Sequence, residues 1–312
     1  MHVGECVGRV VVRLVLGLLA LGRQHQVRSF HLLHGGLRLH LTEVGLAGTD
    51  VRDFYVVDAK YVVNPNLKVG AAWYGVFADT PSEDAAPASA NIADFRDTRY
   101  NTIALNAEAK FGAAVIDGFV ATQFGDTADR NLTAYAANVG AKVKVGPGTL
   151  KTQFLYTSGE DEENGNNNSW QSVVTRKKAS ENTFYASGMR ILMRDPTATA
   201  GTDRAVVSTS SNAGRGILGG FVGYDADITQ KVFANANAGF MSTANEGGKD
   251  YIGTELNAEV GYRISPNLTA SLVGAYVWLN DSGAPVLNPV VVEARQGHQD
   301  PWTTRMMLNF TF

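Results

Sequence analysis

The sequence predicts an all-β fold, a transmembrane antiparallel β-barrel, and three observations support this prediction. Residues 302–312 alternate apolar or aromatic side chains with polar ones, the period-two pattern of a strand between lipid and water. The same alternation recurs along the chain, with polar connections that are alternately short and long. Finally, although 45% of the residues are hydrophobic, they form no run of about 20 apolar residues that could make a spanning helix.

Length and composition agree with one large β domain. The 312 residues could form two soluble domains or one barrel, and the 33 glycines suit short strands that face two different solvents. The net charge of -3 argues against a nucleic-acid-binding protein. The single cysteine, Cys6, excludes an intrachain disulfide.

The strands are predicted in order from the alternation. Two hairpins share a turn that contains Pro-Asn-Leu: residues 53–63 and 67–78 flank one, and residues 251–264 and 268–279 flank the other. Six more segments alternate between these hairpins: 100–111, 114–124, 133–145, 149–157, 216–226 and 231–242. Together with residues 302–312 they predict a barrel in which eleven strands are visible.

The long polar connections are predicted to lie together on one rim of the barrel. They are residues 79–98, 125–131, 158–214, 243–250 and 280–301. Within the longest loop, 158–214, the stretch 184–194 carries enough apolar side chains to pack, together with Arg190 and Arg194. Our interpretation is a constriction loop that folds into the barrel. A hairpin above the barrel, or one paired with an ordinary strand, is the alternative.

Residues 1–50 do not follow the barrel pattern, so the sequence divides into an atypical segment 1–50 and a barrel 51–312. The first segment lacks Lys, Tyr and Trp but holds five of the six histidines. It is a degenerate signal, a disordered linker or a mis-assigned start, and we favour the last, since no complete signal peptide is present. Barrels have even strand numbers, so an odd number of strands is expected before residue 53, and residues 37–44 are a weak candidate. The chain is therefore predicted to be a fragment of a larger barrel.

From residue 53 to residue 312 the chain resembles the Gram-negative outer-membrane porins, and within them the larger porin-like or alginate-export-like barrels. The resemblance implies a passive diffusion channel for small hydrophilic solutes or ions, located in the outer membrane in contact with lipid and lipopolysaccharide. It also implies that the terminal Phe312 is the assembly signal read by the barrel-assembly machinery. A homotrimer is compatible with it. A substrate-selective export or uptake channel, or a conduit for a partner protein, remains an alternative.

Charged residues on the predicted inward faces are the candidate pore lining, because a pore selects by the charges along its wall. They are of both signs: Asp58, Lys60, Glu108, Lys110, Asp117, Lys142, Lys144, Lys151, Glu255, Glu259, Arg263 and Arg305. One hypothesis sets a basic strip against acidic residues and predicts a slight preference for anions. The alternative is a wall of salt bridges and solvated charge.

Other function classes receive less support from the sequence. In the barrel portion the only histidine is His298, and no serine lies in a nucleophile motif, so we expect no enzyme and no catalytic residue. The histidines of residues 1–50 have no metal-ligand spacing, and we expect neither metal nor cofactor. An adhesin is a further alternative, which the outward aromatic residues near the strand ends disfavour.

Overall fold

The computed structural model describes residues 27–34, 37–46, 51–79, 98–127, 130–160, 166–171, 188–193, 205–207, 209–212, 214–245, 251–280 and 300–311. Thirteen strands occur in these ranges: β1 (Val27–His34), β2 (Leu37–Leu46), β3 (Val51–Asn64), β4 (Leu67–Asp79), β5 (Thr98–Phe111), β6 (Ala114–Thr127), β7 (Arg130–Val145), β8 (Gly148–Thr157), β9 (Ile217–Asp227), β10 (Val232–Ser242), β11 (Tyr251–Ser265), β12 (Leu268–Leu279) and β13 (Trp302–Phe310).

The thirteen strands form a single sheet in sequence order, and each pairs antiparallel with its neighbours along the chain. Such an up-and-down order is what alternating segments joined by local connections produce, because each strand pairs with the next one formed. The prediction of an all-β antiparallel fold is confirmed. In the part of the chain that is described, no helix is long and apolar enough to cross a membrane.

All eleven predicted strands are present, and two details differ from the prediction. Residues 27–46 form two paired strands, β1 and β2, where the sequence offered one weak candidate. The predicted loop 125–131 is also shorter, since Thr127 pairs with Arg130 and Asp126 with Asn131, which leaves only residues 128–129 between β6 and β7. The polar side chains of this region suggested a loop, but their backbone groups continue the ladder.

The two rims of the sheet differ in the length of their connections. The short-turn rim carries residues 65–66, 112–113, 146–147, 228–231 and 266–267, and the long-loop rim carries the remaining connections from β2 onward. At the first short turn, the Asn66 amide donates a hydrogen bond to Asn64 Oδ1 at 2.8 Å. The next two turns use Gly112 and Gly146, both with a φ close to +60°, which glycine adopts without strain.

Apolar side chains cover one face of the sheet, and charged and amide side chains are concentrated on the other. In β11, Leu256 and Val260 are 47% and 58% exposed, whereas the residues that directly precede them, Glu255 and Glu259, are 0% and 8% exposed. We call the face of Leu256 the outer face and the face of Glu255 the inner face. The outer face also exposes Leu105, Val120, Tyr135, Val139, Phe154, Leu272, Met306 and Leu308. So extensive an apolar surface fits contact with hydrocarbon and does not fit contact with water.

Two apolar clusters lie on the inner face, and loop residues complete both. The first joins wall residues of β8 to β12 to the loop residues Met189, Ile191, Leu192 and Met193. The second joins wall residues of β4 to β7 to the loop residue Trp170. Phe119 of β6 packs against both clusters. The long loop 158–214 therefore comes back onto the inner face in at least two places.

Candidate functional site

The strand register brings the twelve predicted charged residues onto the inner face. Residues directly opposite each other on paired strands share a face, and three cross-strand rows contain most of the twelve. One row runs through Lys110, Val115, Lys142, Lys151, Gly223, Asn237, Asn257, Ala275 and Thr303. A second runs through Lys144, Thr149, Asp225, Asn235, Glu259, Val273 and Arg305.

The third row contains three of the five acidic members. It runs through Glu108, Asp117, Gly140, Gln153, Phe221, Gly239, Glu255 and Val277. Lys60 pairs with Gly70, and Gly70 pairs with Asn106. Asn106 lies two residues before Glu108 and shares its face. Lys60, and Asp58 two residues before it, therefore also belong to the inner face. Arg263 follows Glu259 by four residues on β11 and shares its face.

Several inner-face charges form ion pairs with residues that the sequence analysis did not single out. Glu108 pairs with Lys68 at 2.9 Å, Lys151 pairs with Asp225 at 2.7 Å, and Arg263 pairs with Asp227. The period-two alternation of their strands also assigns Lys68, Asp225 and Asp227 to the inner face. The alternation in the sequence could therefore have identified these three residues as well.

Three lysines near the short-turn rim differ from these paired residues. Within the described ranges, Lys110, Lys142 and Lys144 make no ion-pair contact. Lys142 lies directly opposite Lys151, and Lys144 lies two residues further along β7. This part of the inner face therefore offers a positive charge that neighbouring carboxylates only partly balance.

Residues 188–193, which we call the inner segment, are held to the wall by one carboxylate. Glu255 accepts hydrogen bonds from the backbone amides of three consecutive residues: Arg190 at 2.7 Å, Ile191 at 2.9 Å and Leu192 at 2.6 Å. The side chain of Glu255 is completely buried beneath them. Successive amides that converge on one anion in this way form a concave binding site for it.

A polar network beside Glu255 holds the rest of the inner segment. Arg190 makes an ion pair with Glu259 at 2.9 Å, and both side chains are largely buried. Asn257 donates a hydrogen bond to the Gly188 carbonyl at 2.9 Å and to Glu255 Oε1 at 2.7 Å. Asn237 in turn donates to Asn257 Oδ1 at 2.9 Å. All the wall residues of this network lie in the three cross-strand rows.

Two glycines allow the close approach of the inner segment to the wall. Gly188 has a φ of +72°, and a Cβ there would lie 2.8 Å from Asn237 Oδ1. On the wall, a Cβ at Gly239 would lie 2.8 Å from Met189 Sδ and 2.5 Å from Phe221 Cδ1. A Cβ at either position would force the neighbouring side chain to shift, and Gly188 also needs glycine for its backbone conformation.

A second loop stretch, residues 166–171, lies on the inner face at β6 and β7. The Gln171 amide donates to Gln123 Oε1 at 2.7 Å, and Gln123 Nε2 donates back to the Gln171 carbonyl at 3.0 Å. Asn167 exchanges backbone hydrogen bonds with the strand at Asn131 and Thr133. This stretch places Trp170, which is 1% exposed, in the second apolar cluster.

The structure thus locates some predicted loop residues and not others. Arg190 lies on the inner face, as part of the inner segment. Arg194, Phe312 and His298 lie outside the described residues. The anchoring by Glu255, the two glycine contacts and the second loop stretch were not anticipated. The sequence carries no periodic signal for them because the contacting residues are far apart along the chain, by 63 to 65 positions at Glu255 and by 48 between Gln123 and Gln171.

In the described ranges, no group of three or more His, Cys, Asp or Glu side chains could hold a metal ion. The chemistry that the inner face offers is electrostatic and hydrogen-bonding. It consists of fixed charges of both signs, amides and hydroxyls, arranged along a wall.

Comparison with solved structures identifies the fold. No protein-family model and no curated protein matches the chain. Among the similar structures of Pseudomonas aeruginosa proteins, OccK3 (OpdO) has a TM-score of 0.51 at 12% identity, covering 91% of this chain and 68% of its own. OccK9 (OpdG) has a TM-score of 0.52 at 14% identity, covering 92% and 66%. OpdK with vanillate has a TM-score of 0.52 at 14% identity, covering 91% and 68%.

These similarities show a fold shared with outer-membrane β-barrel proteins and confirm the predicted fold class. The chain spans about two thirds of the length of these structures. Since the identities are low, the likeness concerns the fold, and the activity must be argued from the inner face itself.

Proposed function

We propose that the chain forms a passive pore in the outer membrane of a Gram-negative bacterium, through which small hydrophilic solutes or ions diffuse. The observation that carries the proposal is the distribution of side chains. Apolar residues are exposed on the outer face, while charged and amide residues cover the inner face. In an outer-membrane barrel, a sheet with these two faces places hydrocarbon outside and a water-filled lumen inside.

The fold similarity supports this proposal. The matched OpdK is described as an outer membrane protein, and its structure was also determined with vanillate. The inner face, with its fixed charges, offers a wall for selective diffusion rather than a reaction centre. We therefore propose a channel and not an enzyme.

We further propose that the inner segment and the stretch 166–171 narrow the lumen. Both cover part of the inner wall, and both are fixed by hydrogen bonds to strand residues. Ten of the twelve charged inner-face residues are then the pore lining, whereas Glu255 and Glu259 are buried beneath the inner segment and hold it. We propose that Arg194 also contributes its charge to the constriction.

Conductance in a planar bilayer tests both proposals. The wild-type protein should give discrete ion-conducting steps, and a protein that folds and inserts but conducts no ions would overturn the pore. Deletion of residues 184–194 should raise the single-channel conductance, because the cross-section available to ions increases. An unchanged conductance in the deleted, folded protein would remove the constriction proposal and leave the pore intact.

A more selective channel is the second candidate, and it is favoured by the three lysines that make no ion pair within the described residues. Lys110, Lys142 and Lys144 would attract small anions near the short-turn rim. Vesicle swelling with vanillate, and with a cationic and a neutral aromatic solute of similar size, separates the two candidates. Faster entry of vanillate indicates selection by charge, and equal entry of all three indicates general diffusion.

The remaining expectations from the sequence are part of the proposal. Phe312 is proposed as the signal for the barrel-assembly machinery, and the outer face as the surface for lipid and lipopolysaccharide. Replacing Phe312 with Ala should lower the amount of folded protein in the outer membrane without changing its single-channel conductance. Association into a homotrimer would be detected by cross-linking of the native protein.

A further inference from the structure

We propose that Glu255 is the positioning residue that holds the inner segment in place and thereby sets the open cross-section of the pore. This inference rests on the proposed function, since it assigns to one wall residue the control of the channel's width. Three observations bear on it: the hydrogen-bond geometry at Glu255, the placement of Arg190, and the apolar contacts of Met189 with the wall.

The hydrogen bonds at Glu255 couple the wall directly to the loop backbone. A completely buried carboxylate is strongly unfavourable unless hydrogen-bond donors surround it. Here the donors are the amides of Arg190, Ile191 and Leu192, together with Asn257 Nδ2. Three of these four donors belong to the inner segment. The position of the segment and the burial of the Glu255 charge therefore depend on each other.

Glu255 also determines where the Arg190 charge lies. With the Arg190 amide fixed on Glu255, its guanidinium reaches Glu259, four residues further along the same strand, at 2.9 Å. Asn235 donates to the same Glu259 oxygen at 3.1 Å. The Arg190 side chain is only 14% exposed in this arrangement. Its charge is thus kept against the wall and is partly neutralised there.

The apolar contacts alone do not define this position. Met189, Ile191, Leu192 and Met193 are buried in the first cluster, and Met189 lies over Gly239. Apolar contact is non-directional, so a chain of this composition could lie on the wall in more than one register. The three charge-assisted hydrogen bonds are directional and specify one register.

The test compares Glu255→Gln with Glu108→Gln in the full chain, reconstituted in lipid nanodiscs. Each substitution removes one negative charge from the inner face. Glu108 pairs with Lys68 and makes no hydrogen bond to the inner segment. Hydrogen exchange is followed by mass spectrometry on peptides that contain residues 188–193, and conductance is measured in planar bilayers.

We expect Glu255→Gln to speed amide exchange in residues 190–192 by about tenfold or more, because the glutamine keeps only one acceptor oxygen, which is neutral, and places an NH2 donor against amides that had donated to the other carboxylate oxygen. We also expect a higher single-channel conductance and more current fluctuation. Glu108→Gln should shift the ion selectivity through its charge, with exchange in residues 188–193 at the wild-type rate. Its conductance change is the baseline for the effect of charge alone.

Two outcomes would overturn the inference while leaving the pore proposal standing. The first is wild-type exchange in residues 190–192 of folded Glu255→Gln. The second is faster exchange accompanied by a conductance change no larger than that of Glu108→Gln, because the segment would then move without affecting the pore. If Glu255→Gln does not fold, Glu255→Asp takes its place. Its shorter side chain keeps the charge but cannot reach all three amides, and it is judged by the same two criteria.

Discussion

At the scale of the residue, inner-face charges of the same type have different physical roles. The pair of Lys68 and Glu108 is well exposed, at 49% and 36% of the side-chain area, and pairs of this kind contribute at most about 1 kcal/mol. The pair of Arg190 and Glu259 is 14% and 9% exposed. Removing one partner from a buried pair costs about 3–5 kcal/mol, because the other charge stays buried without compensation. Burial, and not residue type, separates the two roles.

Gly239 gives the first prediction at this scale. The substitution Gly239→Ala should destabilise the folded protein by about 1–3 kcal/mol and displace the inner segment, because its Cβ would overlap Phe221 and Met189. The free energy of unfolding in urea with lipid vesicles, and the single-channel conductance, are the measurements.

Gly274→Ala is the matched control for this prediction. Gly274 lies on the outer face of β12, and a Cβ there would meet no atom within 4 Å. We expect wild-type conductance from this variant. If both substitutions changed stability and conductance equally, glycine at position 239 would be required by the strand itself and not by its contact with the inner segment.

At the scale of the element, each strand is a boundary between two solvents. In β6, Val120 is 57% exposed on the outer face, while Gln123 and Asp117 belong to the inner face. A shift of one residue in the register would exchange the faces of every side chain in the strand. The alternation therefore fixes the orientation of the strand strongly, even though no single residue does.

The substitution Val120→Arg gives a prediction for this element. Val120 lies at the middle of β6, so an arginine there should face the middle of the bilayer and lower the free energy of unfolding by about 2–4 kcal/mol. Unfolding in urea with lipid vesicles measures the effect.

Asp117→Arg in the same strand is its control. The arginine would face the inner side, and we expect a much smaller loss of stability than for Val120→Arg. Similar losses for both variants would contradict the assignment of the two faces in β6.

At the scale of the whole molecule, the balance of charges along the inner wall should determine ion selectivity. Lys142 lies opposite Lys151 and forms no ion pair in the described ranges. Lys142→Glu should therefore shift the reversal potential in a salt gradient toward cations, and the wild-type protein should show a slight preference for anions.

Lys231→Glu changes the net charge equally but in the turn 228–231 at the rim, where the ammonium is directed toward an outer-face ring. The Lys231 ammonium lies 6.0 Å from the ring of Tyr262, an exposed outer-face residue. Its substitution should leave the reversal potential close to that of the wild type. A wild-type channel in which cations carry most of the current would contradict the predicted anion preference.

Location in the cell is a second prediction for the whole molecule. The native protein should be recovered from the outer-membrane fraction. Its recovery as a soluble protein would contradict the pore proposal.

The sequence by itself determined eleven of the thirteen strands, their order and their two faces. Alternation in segments such as 251–264 is a local signal, and local connections lead to pairing between neighbours. For the same reason, the inner-face position of Glu255, Glu259 and Lys142 could be predicted. Where polar residues continue the ladder, as at Asp126 and Thr127, the side chains misled the prediction because the pairing uses the backbone.

Only the tertiary structure decided how the long loop meets the wall. Arg190 and Glu255 are 65 positions apart, and their contact depends on the sheet that brings β11 beneath the loop. Gly188 and Gly239 acquire their roles from that contact as well, since each is close to a side chain that is distant in sequence. Such contacts leave no periodic pattern in the sequence. They depend on the folded shape of the wall, whereas the alternation of side chains depends only on each strand.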